Sequence, residues 1–241
     1  MVIGRTAPRA TVFVDNETVG QASADGLFIV GFDRDSPAAC DLRVEAGQDA
    51  ISQTVAIAPG DFDIQAINGL PSNQVDNFPP ELLERIKAEA ARKKIGFASL
   101  DDSDAFRAGF RLPLDKYRLS ARFGGQRILN GVPKTPHYGS DLAAPTGTPI
   151  HAPCAGLVAF AETGLHFDGG LTMIDHGQGL ISLYLHQSKI FVTAGQRVMA
   201  GDRIGQVGME GRATGPHLCW RMKWHGRNLD PMLMVGLTAP A

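Results

Sequence analysis

The sequence predicts a mainly β protein with three parts: a small β-sandwich-like module over residues 1–72, a helical linker over 73–112 and an antiparallel β domain over 113–241. Short apolar runs between turn residues fill the first and last parts, and only the middle part has the start and stop signals of a helix. The 28 glycines and 15 prolines suit strands joined by tight turns. With 241 residues, 44% of them hydrophobic, the chain can bury one large core or two smaller ones.

Charge and hydropathy exclude several classes of partner. The formal net charge is −2, so there is no basic field to attract nucleic acid. No run approaches the roughly 18 apolar residues of a membrane span, and the N-terminus has no signal-peptide core, so we expect no span. The cysteines at 40, 154 and 219 make no disulfide framework. Cys40 and Cys154 could still pair in an oxidising compartment, and the compartment therefore stays open.

The first part consists of short apolar runs with turn signals between them. The runs that predict strands lie at 11–14, 26–32, 40–44, 54–57 and 62–67. Such a density of short strands is typical of a small sandwich or open barrel. This part contains no histidine, so we expect an accessory module that serves placement or interaction and has no chemistry of its own.

The middle part has the residue order of a helix. Pro79 and Pro80 stand at its start, acidic residues follow, and basic residues precede Gly96. Proline in the first turn, this order of charges and a closing glycine predict a helix over 79–95. A shorter helix is predicted over 104–110.

The last part returns to strands. The clearest runs lie at 148–150, 156–160, 171–174, 180–185, 189–192, 203–207 and 217–224. Glycines at 195, 201 and 205 suit the tight corners between them. These features predict a second, larger antiparallel β domain.

The histidines are all in this last part, at 137, 151, 166, 176, 186, 217 and 225. Residues two apart on a strand point to the same face, so His217 and Cys219 would reach toward one point. Apolar and polar residues alternate over 180–186, which predicts that His186 shares the polar face of its strand with Tyr184. His151 is expected to be structural, His176 is expected to fix a turn, and the histidines at 166 and 225 are expected to lie in loops.

A further pair of metal-type ligands lies upstream, at His137 and Asp141. Pro136 and Gly139 disfavour a helix here, so we expect a bent loop leading into a strand to bring the two together. Neutral imidazole, carboxylate and thiolate are the usual zinc ligands, and a catalytic zinc needs three protein ligands and one open position. His137, Asp141 and Cys219 could fill the three places. The histidines at 186 and 217 would then move protons and stabilise charge.

Several motifs, spread over nearly half of the chain, resemble the motifs of a known protein family. They are Ser-Ala-Arg-Phe-Gly at 120–124, the stretch from His137 to Pro149, Ile-Asp-His-Gly at 174–177, Leu-Tyr-Leu-His at 183–186, and the glycine-rich segments at 195–201, 204–208 and 211–218, with Asn-Leu-Asp-Pro at 228–231. In this order and spacing they resemble the lysostaphin-type, or LytM-like, zinc metalloendopeptidases of bacterial peptidoglycan. The resemblance implies a β-rich hydrolase domain of the LytM type that has a groove and one Zn²⁺ ion.

The resemblance also implies a role for each residue of the site. His137 and Asp141 match the first two zinc ligands of the family, and His186 and His217 match its two catalytic histidines. The family's third ligand is a histidine, and this chain has Cys219 there. Cys219 could bind zinc as a thiolate, mark a degenerate site, or be merely a small buried residue.

The implied function is hydrolysis of the peptide cross-links of peptidoglycan in the bacterial cell envelope, in the periplasm or outside the cell. The alternative is a catalytically silent domain that binds cell wall or a divisome partner protein, or that activates a partner amidase. Whether the cross-link contains diaminopimelate or a glycine bridge stays open.

Overall fold

The computed structural model describes residues 1–69 and 79–240. Residues 73–78, with which the predicted linker begins, lie outside the described residues, and so does the predicted boundary at residue 72. The division into a module, a linker and a second domain therefore stays a prediction. The mainly β composition is confirmed, with one α-helix in the described chain.

The N-terminal residues form short strands in separate sheets. The strands are β1 (Val2–Arg5), β2 (Thr11–Val14), β3 (Glu17–Gln21), β4 (Leu27–Val30), β5 (Ala39–Ala46), β6 (Asp49–Ala56) and β7 (Ile64–Ile67). β3, β2, β5 and β6 form one antiparallel sheet in that order, and β1 pairs with β4. All five predicted runs overlap strands, whereas β1 and β3 were missed because they are short or polar. The sandwich-like packing of this module stays a prediction.

The helix α1 (Pro80–Phe97) agrees with the prediction of 79–95, and a 3-10 helix at Ala105–Ala108 lies inside the predicted 104–110. Gly96 was expected to close α1, but the helix continues past it. A Cβ atom at Gly96 would lie 2.8 Å from Phe160 Cβ and 2.7 Å from Met173 Sδ. The glycine therefore allows α1 to approach the sheet closely, which is a tertiary requirement that a capping pattern does not reveal.

The C-terminal part is built around one large sheet. Its strands are β8 (Arg118–Ala121), β9 (Gln126–Leu129), β10 (Val132–Pro133), β11 (Ser140–Ala143), β12 (Pro149–His151), β13 (Gly156–Leu165), β14 (Gly169–Asp175), β15 (Leu180–Ile190), β16 (Arg197–Val198), β17 (Arg203–Val207), β18 (His217–Trp224) and β19 (Arg227–Leu229). The strand order in the large sheet is β16-β13-β14-β15-β18-β11-β8, and β12, β17 and β19 pair with strands of the same sheet outside this order. β7 pairs in parallel with β9, beside β10.

The apolar core is continuous between the N-terminal strands and the large sheet. Leu27 and Phe28 belong to the same buried cluster as Trp220 and Trp224. The side chain of Gln178 fixes the contact, because it donates a hydrogen bond to Leu27 O (2.9 Å) and accepts one from the backbone N–H of the residue at 29 (3.3 Å). Among the described residues, no helix has the length and apolar character needed to cross a membrane.

Candidate metal centre

Three potential metal ligands meet where β11, β18 and the loop before β11 come together. The donor atoms of His137, Asp141 and Cys219 lie within 4.8 Å of one another, and all three residues are buried. His137 Nε2 is 3.1 Å from Asp141 Oδ1 and 3.4 Å from Cys219 Sγ. Ligands bound at about 2.0–2.3 Å to a tetrahedral zinc ion would be about 3.3–3.6 Å apart. The spacing therefore fits such an ion with little movement.

The pairing of the strands explains why two of these ligands meet. Asp141 on β11 lies directly opposite Cys219 on β18, so both side chains point to the same face of the sheet. Leu185 on β15 flanks Cys219 on the other side. The neighbouring Trp220 points to the opposite face, into the main core, as strand alternation predicts.

The third ligand comes from the bent loop that the sequence predicted. The backbone of His137 is held by two hydrogen bonds, from its N–H to Gly125 O (2.9 Å) and from the N–H of Gly124 to its own carbonyl (2.8 Å). Further along, Gly139 passes directly over β18. A Cβ atom there would lie 2.7 Å from Arg221 Cγ and 3.0 Å from Cys219 Sγ. Only glycine allows the loop to run this close to the thiol.

The protonation states of the ligands follow from their burial. Burial lowers the pKa of His137, so its imidazole is neutral at neutral pH. Burial alone would raise the pKa of Asp141, but the adjacent imidazoles of His137 and His217 hold it well below its usual value. Burial raises the pKa of the Cys219 thiol to about 12. Metal binding here would therefore displace one thiol proton.

An unpaired acceptor also points to a missing ligand. Asp141 Oδ1 is buried and makes no hydrogen bond of acceptable geometry in the described structure, although His137 Nε2 lies 3.1 Å from it. A buried carboxylate oxygen in that state costs free energy unless a cation or donor satisfies it. Together with a neutral imidazole and a thiol, this oxygen makes a donor set that suits zinc.

Two further histidines stand beside the ligands. The rings of His186 and His217 have centroids 4.7 Å apart, and His217 Nε2 is 3.7 Å from Asp141 Oδ1. Their Nδ1 atoms lie 2.8 Å from the carbonyl oxygens of Glu210 and Gly215, respectively. A carbonyl can only accept, so each Nδ1 donates, and in a neutral imidazole with this tautomer the lone pair is on Nε2. Burial also lowers the pKa of His186 to about 4, which keeps it neutral.

His186 reaches this face through a β-bulge in β15. Its φ is 64°, in the left-handed region that residues other than glycine rarely adopt. The register shifts beside it, since Thr172 is opposite Tyr184 while Gly170 is opposite Gln187. One extra residue on β15 therefore reverses the alternation of side chains, and the imidazole turns toward the candidate ligands.

Tyr184 faces the other way. It lies opposite Trp220 and its hydroxyl is 2.7 Å from Ser182 Oγ in the main core. The prediction that Tyr184 and His186 share one face is therefore wrong, because simple alternation does not reveal a bulge.

The other histidines and cysteines lie outside this cluster. His176 is buried and its ring nitrogens lie 2.7 Å from Ala155 O and 2.7 Å from Ser182 Oγ, which agrees with the expected structural role. Cys40 and Cys154 are both free thiols. The pairing that the sequence left open is therefore not present.

Sequence reasoning missed two arginines at the centre. Arg221 Nε donates to Cys219 Sγ at 3.3 Å, and Arg127 Nη2 is 3.6 Å from Asp141 Oδ2. The signal for Arg221 was its position two residues after Cys219 on the same strand, which puts both side chains on one face. Arg127 lies on β9, and no local pattern connects it with Asp141.

Comparisons with known proteins agree with this geometry. Residues 135–231 match the sequence profile of peptidase family M23. The chain is 42% identical over 130 residues to peptidoglycan DD-endopeptidase ShyA of Vibrio cholerae, covering 52% of this chain and 30% of ShyA. It is 36% identical over 137 residues to DD-carboxypeptidase/endopeptidase Mpg of Neisseria meningitidis, covering 56% and 31%. The matches thus span less than a third of the length of these curated relatives.

A structural comparison extends over nearly all of the chain. The crystal structure of a Pseudomonas aeruginosa protein assigned to peptidase M23 superposes with a TM-score of 0.75 at 29% identity. It covers 98% of this chain and 92% of that chain. The likeness therefore includes the N-terminal strands and α1 as well as the large sheet.

Proposed function

We propose that this protein is a zinc-dependent endopeptidase that hydrolyses peptide cross-links of bacterial peptidoglycan, since residues 135–231 match the sequence profile of peptidase family M23. The observation that carries the proposal is the meeting of His137, Asp141 and Cys219 beside His186 and His217. The relative from Vibrio cholerae is named a peptidoglycan DD-endopeptidase, which supports the same class of substrate.

His137, Asp141 and Cys219 would hold one Zn²⁺ ion. Zinc in such a site supplies a Lewis acid that polarises a peptide carbonyl and lowers the pKa of a water molecule. The three residues would fix the ion on one face of the sheet. Their burial keeps bulk water away from the ligands and strengthens the electrostatic interactions there.

His186 and His217 would handle protons and charge. Each has an Nδ1 atom tied to a carbonyl 2.8 Å away, so its ring cannot rotate and its Nε2 can accept a proton from the attacking water. The protonated ring would then stabilise the oxyanion or donate to the leaving nitrogen. His217 Nε2 lies 3.7 Å from Asp141 Oδ1, on the side of the three candidate ligands.

The proposal includes a place of action. A peptidoglycan substrate requires the bacterial cell envelope, and we assign the protein to the periplasmic or outer side of the membrane. A catalytically silent domain that binds cell wall or a partner protein is the competing function, and Cys219 is the residue on which the two differ. A silenced site has no need to keep both histidines oriented, so the observed geometry favours the enzyme.

Metal content and digestion of purified sacculi test the proposal together. Wild-type protein should contain one zinc per chain and release soluble glycan strands with their peptides from the sacculi, and Cys219→Ala should lose both. Cys154→Ala is the matched control, because Cys154 is also a buried free thiol but bonds to Ala105 O (3.1 Å), away from the centre. A wild-type protein that contains no metal and leaves the sacculi intact would refute the proposal. An inactive wild type made active by Cys219→His would show that the native site is silenced.

A further inference from the structure

Helix α1 buries a carboxylate that lies outside the candidate centre. Glu89 and Gly96 are the residues that α1 buries, and Glu89 is only 4% exposed. A buried carboxylate has to be satisfied by hydrogen bonds or cations. Glu89 Oε1 accepts from Arg85 Nε (2.8 Å), and Glu89 Oε2 accepts from the backbone N–H of His166 (2.9 Å). The carboxylate therefore ties the helix to the turn between β13 and β14, residues 166–168.

Two further side chains of α1 reach the same part of the sheet. Lys93 lies one helical turn after Glu89 on the same face of α1. It forms an ion pair with Asp168 at 2.5 Å, and both side chains are largely buried. Arg85 Nη2 donates to Gly164 O at 2.6 Å, just before the β13–β14 turn. One face of the helix thus holds the turn from both sides.

The β13–β14 turn holds the backbone of His186. The N–H of His186 donates to Asp168 O at 2.8 Å. Asp168 therefore bonds to α1 through its side chain and to His186 through its carbonyl. The φ of 64° at His186 is one that residues other than glycine adopt only when surrounding contacts maintain it. The hydrogen bond to Asp168 is such a contact.

The same turn supports the ring of His186. The imidazole Nδ1 donates to Glu210 O at 2.8 Å. The loop that contains Glu210 packs on the β13–β14 turn, because the N–H of Arg212 donates to Phe167 O (3.0 Å) and the guanidinium of Arg212 stacks over the Phe167 ring, 4.5 Å from its centroid. The two carbonyls that fix the backbone and the ring of His186 therefore both depend on where this turn lies.

We propose that Glu89 and Lys93 are positioning residues for His186, and that α1 is part of the catalytic apparatus as well as a connection between two β parts. The inference rests on the proposed function in that His186 is taken to transfer a proton. Both residues act through the β13–β14 turn. A shift of the turn would move the carbonyls of Asp168 and Glu210 together and rotate the imidazole, and misplacement of a reacting group by about 1 Å can cost about 100-fold in rate.

Two independent variants test the positioning role. Lys93→Met removes the ion pair with Asp168 but keeps an unbranched apolar side chain, and Glu89→Ala removes the acceptor for His166. Each should lower kcat about 10- to 100-fold, while KM and the zinc content stay those of the wild type. The conservative variants Lys93→Arg and Glu89→Gln keep a cation and an acceptor, respectively, and should retain most of kcat.

Arg92→Gln is the matched control. Arg92 also joins α1 to the sheet, but it does so through Glu162 on β13, at 2.6 Å, and not through the β13–β14 turn. It should leave kcat unchanged. An equal loss of kcat in Arg92→Gln and Lys93→Met would mean that any weakening of the helix contact has the same effect, and would overturn the proposal.

A spectroscopic measurement separates this inference from the proposed function. The Nδ1–H proton of His186 is buried and hydrogen-bonded, so it should exchange slowly with water and give its own signal in the proton NMR spectrum. The signal is assigned by its absence in His186→Gln. It should persist in Arg92→Gln and be lost or shifted in Lys93→Met and Glu89→Ala. An unchanged signal in both of these variants would refute the positioning role. If no variant and no wild-type protein cleaves peptidoglycan, the proposed function fails, and this signal alone still decides whether α1 positions His186.

Discussion

Replacing Gly139 by alanine perturbs the centre by a single methyl group. The backbone of Gly139 is outside the left-handed region, so alanine can adopt its φ without strain. The added Cβ would lie 2.7 Å from Arg221 Cγ, 3.0 Å from Cys219 Sγ and 3.1 Å from Trp220 O. The distance to Arg221 Cγ is shorter than real Cβ atoms show, and the distance to Cys219 Sγ is at the lower limit of observed contacts. The third contact is to the backbone of a strand, which cannot easily move. The loop that holds His137 must therefore move away from β18.

The expected cost of this overpacking is about 1–3 kcal/mol of unfolding free energy. For a chain of this size, about 2 kcal/mol lowers the melting temperature by about 4–8 °C. Movement of the loop also separates His137 from Cys219, so we expect zinc affinity to fall about 10- to 100-fold, as it does when the support of a metal ligand is disturbed. Thermal unfolding followed by circular dichroism and competition with a zinc chelator measure the two effects.

Gly215→Ala is the matched control, because a Cβ atom at Gly215 has no atom within 4 Å and the residue has no positive φ. It should leave the melting temperature unchanged or slightly raised. If Gly139→Ala behaves like Gly215→Ala in both measurements, the close approach of the loop to Cys219 is not a feature of the folded protein, and the site geometry argued from it is refuted.

Other perturbations should have distinct signatures. Gln187 Nε2 donates a hydrogen bond to Tyr184 O (3.0 Å) beside the bulge that orients His186. Gln187→Leu should therefore lower kcat while the zinc content stays at one per chain. An unchanged kcat would show that the bulge does not need this hydrogen bond. Burial lowers the pKa of His176 from 6.5 to about 4. Unfolding therefore exposes an imidazole that binds a proton between these values, and the contribution of His176 to stability should be complete above pH 6.5 and fall by about 3 kcal/mol toward pH 4. Urea unfolding should show this loss in the wild type and a smaller one in His176→Gln. Zinc at about 100 times its Kd should add about 2.7 kcal/mol to the free energy of unfolding. Removing the zinc with a chelator should therefore lower the melting temperature by about 5–10 °C. A melting temperature that does not change with chelator would exclude a metal bound only by the folded state.

The sequence predicted the ligand cluster because strand periodicity and a short loop determine most of it. His217 and Cys219 share a face by alternation alone. Asp141 reaches the same face because β11 pairs with β18 in register. The proline and glycine signals in the loop brought His137 and Asp141 together, and the family resemblance connected this segment with Cys219.

What the sequence did not reveal depends on contacts between distant segments. The bulge at His186 adds one residue to β15 without any change of composition, so periodicity placed Tyr184 on the wrong face. Gly96 resembles a helix cap but serves close packing against Phe160. Arg127 approaches Asp141 across two strands of different sheets, and no local spacing encodes that distance.

In the proposed zinc site, a cysteine ligand would change the charge of the centre, and the two neighbouring arginines would oppose that change. A zinc ion held by one imidazole, one carboxylate and one thiolate is formally neutral, whereas a second imidazole in place of Cys219 would leave it at +1. A neutral centre is the weaker Lewis acid. Arg221 donates to Cys219 Sγ at 3.3 Å and Arg127 lies 3.6 Å from Asp141 Oδ2, so both ligands that would be anionic with zinc bound have a guanidinium beside them. Each guanidinium would withdraw charge from the ligand it contacts and so restore electrophilic character to a bound zinc ion. With histidine at position 219, a zinc centre of charge +1 would lie beside the two arginines and be repelled by them. Arg221→Gln should therefore improve zinc binding in the Cys219→His variant and weaken it in the wild type.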